Sequence, residues 1–252
     1  MAEMIQTSRD GAVAIVTLSH PPHNLIGGAF IDRYCAALEK AAGDGARAIL
    51  INSSLRHFCA GADVGALSAD GSSSVAHETL ARLEGIPVPT VAAVHGACLG
   101  GGFELALASD FIVAAESAQI GSVEVGIGLV PLLGAIPRLV ARAGPARARE
   151  ITMLGRRYRP ELLERWGIIN LVTADEQLAA ASLSLAKQLA AGPTVALGCI
   201  KDIVHVAIHE GTEAADRALQ TRLAPMWASE DLKRGTEAMR DTGPGTAIFE
   251  GN

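Results

Sequence analysis

Gly96-Ala97-Cys98-Leu99-Gly100-Gly101-Gly102-Phe103-Glu104 stands between the apolar run Val91 to Val94 and the helical-looking run Leu105 to Ser109. Three consecutive glycines at a strand-to-helix junction allow a backbone path that Cβ atoms would block, and they let a ligand come close to the chain. The first N–H groups of the helix that follows lack intrahelical partners and lie at its positive end. Such a place suits an anion, or an oxygen that becomes one during a reaction. Glu104 follows Gly101 by one helical turn, so its carboxylate shares a side with those N–H groups. Two plainer readings compete: a tight helix–sheet contact for the glycines, and a capping role for Glu104.

Outward from this junction, strand and helix patterns alternate, which predicts an α/β core. Strands are expected at Ala12 to Leu18, Ala46 to Asn52, Val88 to Val94 and Phe111 to Ala114, and helices at Phe30 to Ala42 and Val75 to Leu83. The Ser/Gly-rich stretch Ser68 to Ser74 reads as a mobile loop. After Val172 only helical periodicity survives, at Ala174 to Ala191, Thr194 to Glu210 and Thr212 to Arg240, with breaks at Gly192-Pro193 and Gly211. The division falls near residue 190, giving a core of 1–190 and a helical region of 191–252. No internal sequence repeat is visible.

Composition narrows the classes. With 49% hydrophobic and 19% charged residues, the chain has the profile of a packed domain rather than a disordered one. A net charge of −6 argues against nucleic-acid partners and against an anionic membrane surface. Cys35, Cys59, Cys98 and Cys199 are widely spaced and form no metal-ligand pattern, so reduced thiols and a cytoplasmic location are expected. The first residues carry no secretory pattern. A nucleotide site fails on glycine spacing, and no Gly-x-Ser-x-Gly elbow occurs.

Four further candidates remain. Glu124 is the only charged residue between Glu116 and Arg138, set among Val, Ile and Leu. Desolvation there would raise its pKa toward values useful for proton transfer, unless it is a turn residue facing water. The loop Phe58-Cys59-Ala60-Gly61-Ala62-Asp63 permits close backbone approach, and Ala62 could donate a second N–H. Asp63 fits the cap of a short helix from Val64 better than catalysis. His205 and His209 stand at i, i+4 without a His-Glu-x-x-His carboxylate, so a surface or interface pair and no metal are expected. Arg147, Arg149, Arg156, Arg157 and Arg159 read as a solvated face or subunit contact, with a role near phosphates left open.

Taken together, Pro22-His23-Asn24, Phe58 to Asp63, His95 to Asp110, Gln119 to Pro131 and Ser229-Glu230-Asp231-Leu232-Lys233 resemble the enoyl-CoA hydratase/isomerase (crotonase) superfamily over nearly the whole chain. The resemblance implies a spiral of repeated ββα units followed by a C-terminal helical trimerisation region, and a homotrimer or homohexamer. It implies an acyl-CoA thioester substrate with its oxygen held by the N–H groups of Ala62 and Gly101. It also implies catalytic glutamates at Glu104 and Glu124, and substrate contacts at His23, Asn24, Ala60, Gly61, Asp63 and Leu132. No cofactor is expected beyond the coenzyme A of the substrate. With both carboxylates present, hydration of a 2-trans-enoyl-CoA is the leading expectation. An isomerase or another enolate-forming enzyme is the alternative, and a non-catalytic CoA- or RNA-binding relative is the reading from another class. Leu132-Leu133-Gly134-Ala135, Gly65, Met239 and Thr242 depart from the usual pattern, which bears on acyl preference and CoA affinity.

Overall fold

The computed structural model describes residues 3–66 and 72–252. β1 (Ile5–Asp10) and β2 (Val13–Leu18) form an antiparallel hairpin turning at Gly11, whose φ of 60° suits glycine. Then come α1 (Gly28–Gly43), β3 (Ala48–Ser53), α2 (Ser72–Glu84), β4 (Thr90–Val94) and β5 (Ala97–Leu99). α3 (Gly101–Leu107), β6 (Phe111–Ala115), β7 (Gln119–Gly121), α4 (Ala135–Leu154), α5 (Pro160–Arg165) and β8 (Leu171–Thr173) complete the alternating part. Of the expected mobile stretch Ser68 to Ser74, residues 68–71 lie outside the described residues and Ser72 opens α2.

The main sheet has the order β1-β2-β3-β4-β6-β8, parallel except for the first pair. A smaller sheet pairs β5 with β7, and single bridges Ile26↔Ala62 and Cys59↔Cys98 extend its pattern. Each turn of the chain thus places one strand in the main sheet, one short extended segment in the second layer, and then a helix. That is a spiral of ββα units, with no sequence repeat to announce it.

The central strands read as unbroken apolar runs because both faces are covered. Ile49, Ile51, Ala92 and Val94 join the cluster under α1, whereas Ala48, Leu50, Val91 and Ala93 pack against α6 (Leu178–Ala190). α6 therefore closes the core, and α7 (Thr194–Glu210) begins after Gly192-Pro193.

The expected helix from Thr212 to Arg240 is instead three: α8 (Thr212–Thr221), α9 (Ala224–Trp227) and α10 (Glu230–Asp241). Pro225 cannot continue a helix, and Ser229 accepts Leu232 N–H at 3.2 Å as a new N-cap. The terminal residues return to the core, where Arg47 donates to Thr194 Oγ1, Gly192 O and Phe249 O. Among the described residues no single helix is long and apolar enough to cross a membrane.

Candidate active site

Each of the three glycines has its own reason. Gly100 has φ 52° and ψ −125°, and a Cβ there would lie 3.2 Å from Glu124 Oε1. At Gly102 a Cβ would collide with the Cys59 backbone carbonyl, so the helix start is pressed onto the Phe58 to Asp63 loop. At Gly101 a Cβ would lie 3.0 Å from Ile26 Cδ1 and 3.8 Å from Ala62 N. The space it would fill is the space between two backbone amides. Helix–sheet contact and ligand access, competing readings in sequence, thus belong to different glycines of the same triplet.

The loop arrives there through backbone pairing. Cys59 N–H donates to Ala97 O at 3.1 Å and Leu99 N–H to Cys59 O at 3.0 Å, which runs the loop alongside β5. On its other edge Ile26 N–H donates to Gly61 O and Asp63 N–H to Ile26 O. In such a parallel bridge the residue between, Ala62, turns its own N–H to the opposite side. Among the described residues neither the Ala62 nor the Gly101 N–H has a protein acceptor. Two adjacent unspent donors at a helix N-terminus make a site for an oxyanion.

Glu104, only 3% exposed, borders this site from the first turn of α3. Its Oε1 accepts Leu133 N–H at 2.7 Å and Ala135 N–H at 3.0 Å. Burial pushes its pKa up to about 7, the two amides oppose this, and the Glu124 carboxylate adds to it. So Glu104 does not cap its own helix; it is gripped by another loop. Glu124 starts a 3-10 turn (Glu124–Ile127) and accepts Ser122 Oγ–H at 2.7 Å on Oε2. Its Oε1 is buried with no partner, which marks a place where a ligand or water hydrogen belongs.

The remaining expected residues divide. Ala60 and Gly61 lie in the loop that presents Ala62, with Gly61 at φ 120° and Ala60 N–H donating to His23 O. His23 is exposed, its ring 5.4 Å from that of His57. Asp63 is also exposed, and its Oδ1 accepts Gly65 N–H at 3.1 Å, the cap expected for the turn Val64–Ala66.

Asn24 requires correction as a substrate contact. It is 0% exposed at φ 54°, with Oδ1 on His20 N–H and Nδ2 donating to Ser53 Oγ, His57 O and Phe58 O. Its amide is spent inside the protein, pinning the loop that carries Ala62. Leu132 is half-buried in the loop that holds Glu104, but the leucine facing the amide pair is Leu133, whose Cδ1 lies 3.8 Å from the Gly101 Cβ position. The Leu133 and Ala135 amides were not legible as site groups, because backbone donors carry no residue signature.

The enoyl-CoA hydratase/isomerase family model matches residues 8–245. The chain belongs to that family. It is 32% identical to a carnitinyl-CoA dehydratase of Salmonella typhi, covering 96% of this chain and 97% of that one. Among solved structures it resembles an enoyl-CoA hydratase subunit I from Geobacillus kaustophilus HTA426 (33% identity, TM-score 0.88, 99% of both chains). It also resembles an enoyl-CoA hydratase from Bacillus anthracis (25% identity, TM-score 0.86, 99% and 100% of the chains). The fold is accordingly the crotonase spiral with a helical C-terminal region, and the chain is an enoyl-CoA hydratase/isomerase-like enzyme of the crotonase superfamily.

Proposed function

We propose that this crotonase-family enzyme adds water across the 2,3 double bond of a 2-trans-enoyl-CoA, giving a 3-hydroxyacyl-CoA. The observation that carries the reading is the buried Glu104, pushed up to about 7 beside a second carboxylate and two unspent amides. The Ala62 and Gly101 N–H groups hold the thioester oxygen, and Glu104 takes a proton from water as its oxygen bonds Cβ. The π electrons move toward the carbonyl, so negative charge collects on the oxygen facing the two donors; such donors typically contribute about 3 kcal/mol each. As the enolate collapses, Cα takes a proton delivered through Glu124, and the proton that Glu104 took from water leaves to replace it, so that the H and OH of one water are added overall. A general acid or base of this kind contributes about 10²–10⁴-fold.

Every atom of the reaction comes from water and thioester, so no cofactor is needed. Loss of water from a 3-hydroxyacyl-CoA is the same path reversed, the direction named in the Salmonella relative. We further propose a cytoplasmic homotrimer or dimer of trimers. The supporting features are free cysteines and exposed apolar side chains at Val125, Ile127, Val130, Met153 and Leu154.

The test is loss of the conjugated-thioester absorbance of crotonyl-CoA and longer 2-enoyl-CoAs. Turnover is expected for the wild type, with a drop of about 10² or more in kcat for Glu104→Gln and for Glu124→Gln. Full activity in either variant refutes the two-carboxylate reading. Negligible hydration with migration of a 3-enoyl double bond assigns isomerase chemistry instead. Salt-sensitive RNA retention without thioester turnover would mean a binding protein.

A further inference from the structure

His205 and His209 lie on one face of α7 with ring centroids 4.2 Å apart. No carboxylate neighbours them in sequence in the way a helical metal motif requires. The fold supplies one from the far side of the chain. Glu84, the last residue of α2, places Oε2 3.8 Å from His205 Nδ1 and Oε1 3.4 Å from His209 Nε2. The three ligand atoms all lie within 4.8 Å of one another.

We propose that Glu84, His205 and His209 form a divalent transition-metal site of the zinc class, joining the helical tail to the core. The donor set, two imidazoles and one carboxylate, is the kind that binds Zn²⁺. Tetrahedral Zn²⁺ with bonds of about 2.0–2.1 Å separates neighbouring ligand atoms by about 3.3 Å; with one carboxylate oxygen used, the three ligand atoms lie within 4.8 Å, so closing on the ion takes side-chain shifts of at most about 1.5 Å. Arg138 donates to Glu84 Oε1, which orients the carboxylate from outside the way second-layer partners orient metal ligands. Glu84 and His205 are only partly exposed, and the cluster opens on an apolar cavity of about 410 Å³ lined by Leu107, Ala141, Leu197, Ile200, Val204 and Ile208.

The consequence is mechanical. α2 leads out of the Asp63 loop region, and Arg138 also donates to Gly134 O, between the two residues whose amides hold Glu104. A metal here would fix α7 on α2 and stiffen the support of Glu104 without touching substrate.

The experiment is titration of the metal-free full-length protein with Zn²⁺ by calorimetry, and with Co²⁺ by visible absorption. One Zn²⁺ per chain, a rise in Tm with added Zn²⁺ and intense tetrahedral Co²⁺ bands are expected. His205→Gln and His209→Gln should each weaken binding on the order of a hundredfold while leaving the metal-free circular dichroism unchanged. Absence of Zn²⁺ binding by the wild type overturns the proposal. So does equal affinity in the double variant, or a weak octahedral Co²⁺ spectrum. Because the wild-type spectrum stands alone, the proposal can fail even if a variant does not fold.

Discussion

Glu104 shows how a residue's role depends on who solvates it. A carboxylate raised by burial keeps its proton longer in the folded chain than in the unfolded one, so folding is penalised at pH values where both states are ionised. Between the ordinary value of 4.5 and about 7 the penalty grows with pH, and above 7 it amounts to roughly 3 kcal/mol. Glu104→Gln keeps an oxygen for the Leu133 and Ala135 amides and removes the charge. It is therefore expected to be more stable than wild type at pH 8, with the difference vanishing near pH 4, as read by urea midpoints. An inactive but stabilised variant is the signature of a residue kept for chemistry. Hydration by the wild type should fall as pH drops through about 7, because the base must be ionised. Both glutamates stood out in the sequence as candidates, one from its place after the glycines and one from its isolation. Asn24 was misread as a contact, since only the fold shows that all its polar atoms are already engaged.

At the scale of elements, the strand-to-helix junction is held by the fit of Gly102 on Cys59. A side chain there meets backbone rather than a flexible tip, so Gly102→Ala must separate α3 from the loop that presents Ala62. The variant is expected to lose a few kcal/mol of stability, about what overpacking costs, and to lose turnover disproportionately. Gly43→Ala is the contrast: at the end of α1 a Cβ meets nothing within 4 Å, and the change should stabilise by about 0.5–1 kcal/mol. Thermal melts of the two variants check both signs. The long elements were readable because apolar periodicity persists over many residues; α7 runs from Thr194 to Glu210 as its pattern says. β5 and β7, three residues each, are too short to carry a pattern. The breaks after Thr221 and before Glu230 did leave signals, in Pro225 and in the capping Ser229.

At the scale of the molecule, the tail is latched to the core through Arg47 and locked onto itself through Asp231. Arg47 binds Thr194, Gly192 and Phe249, while Asp231, fully buried, accepts Glu250 N–H at 2.8 Å and Gly251 N–H at 2.7 Å. Burial pushes the Asp231 carboxyl up, but those amides and Arg234 outweigh it and hold it below the usual 3.8. Its contribution is thus fully present above the unfolded value and lost as pH falls through the lower folded value. Asp231→Asn should be less stable than wild type at pH 7, with the gap narrowing below pH 3.8; denaturant titrations at several pH values measure it. Assembly is the other whole-molecule expectation. Ile127 is 60% exposed and Met153 68% exposed. Charge placed there, as Ile127→Asp with Met153→Asp, should dissociate the proposed trimer to single chains in sedimentation velocity while leaving the monomer folded. A wild type that sediments as one chain would overturn the trimer.

The sequence alone determined the alternation of strand and helix, the glycine junction, and the two carboxylates, because these rest on local sterics and on patterns of neighbouring residues. Only the tertiary structure decided what those groups face. Ala62 meets Gly101, the Leu133 and Ala135 amides meet Glu104, and Glu84 meets two histidines more than a hundred residues away. The Ala62 and Gly101 pair was expected from the motifs around it, but backbone donors look alike at every position, so the Leu133 and Ala135 amides left no signal, and a carboxylate's charge state depends on what buries it.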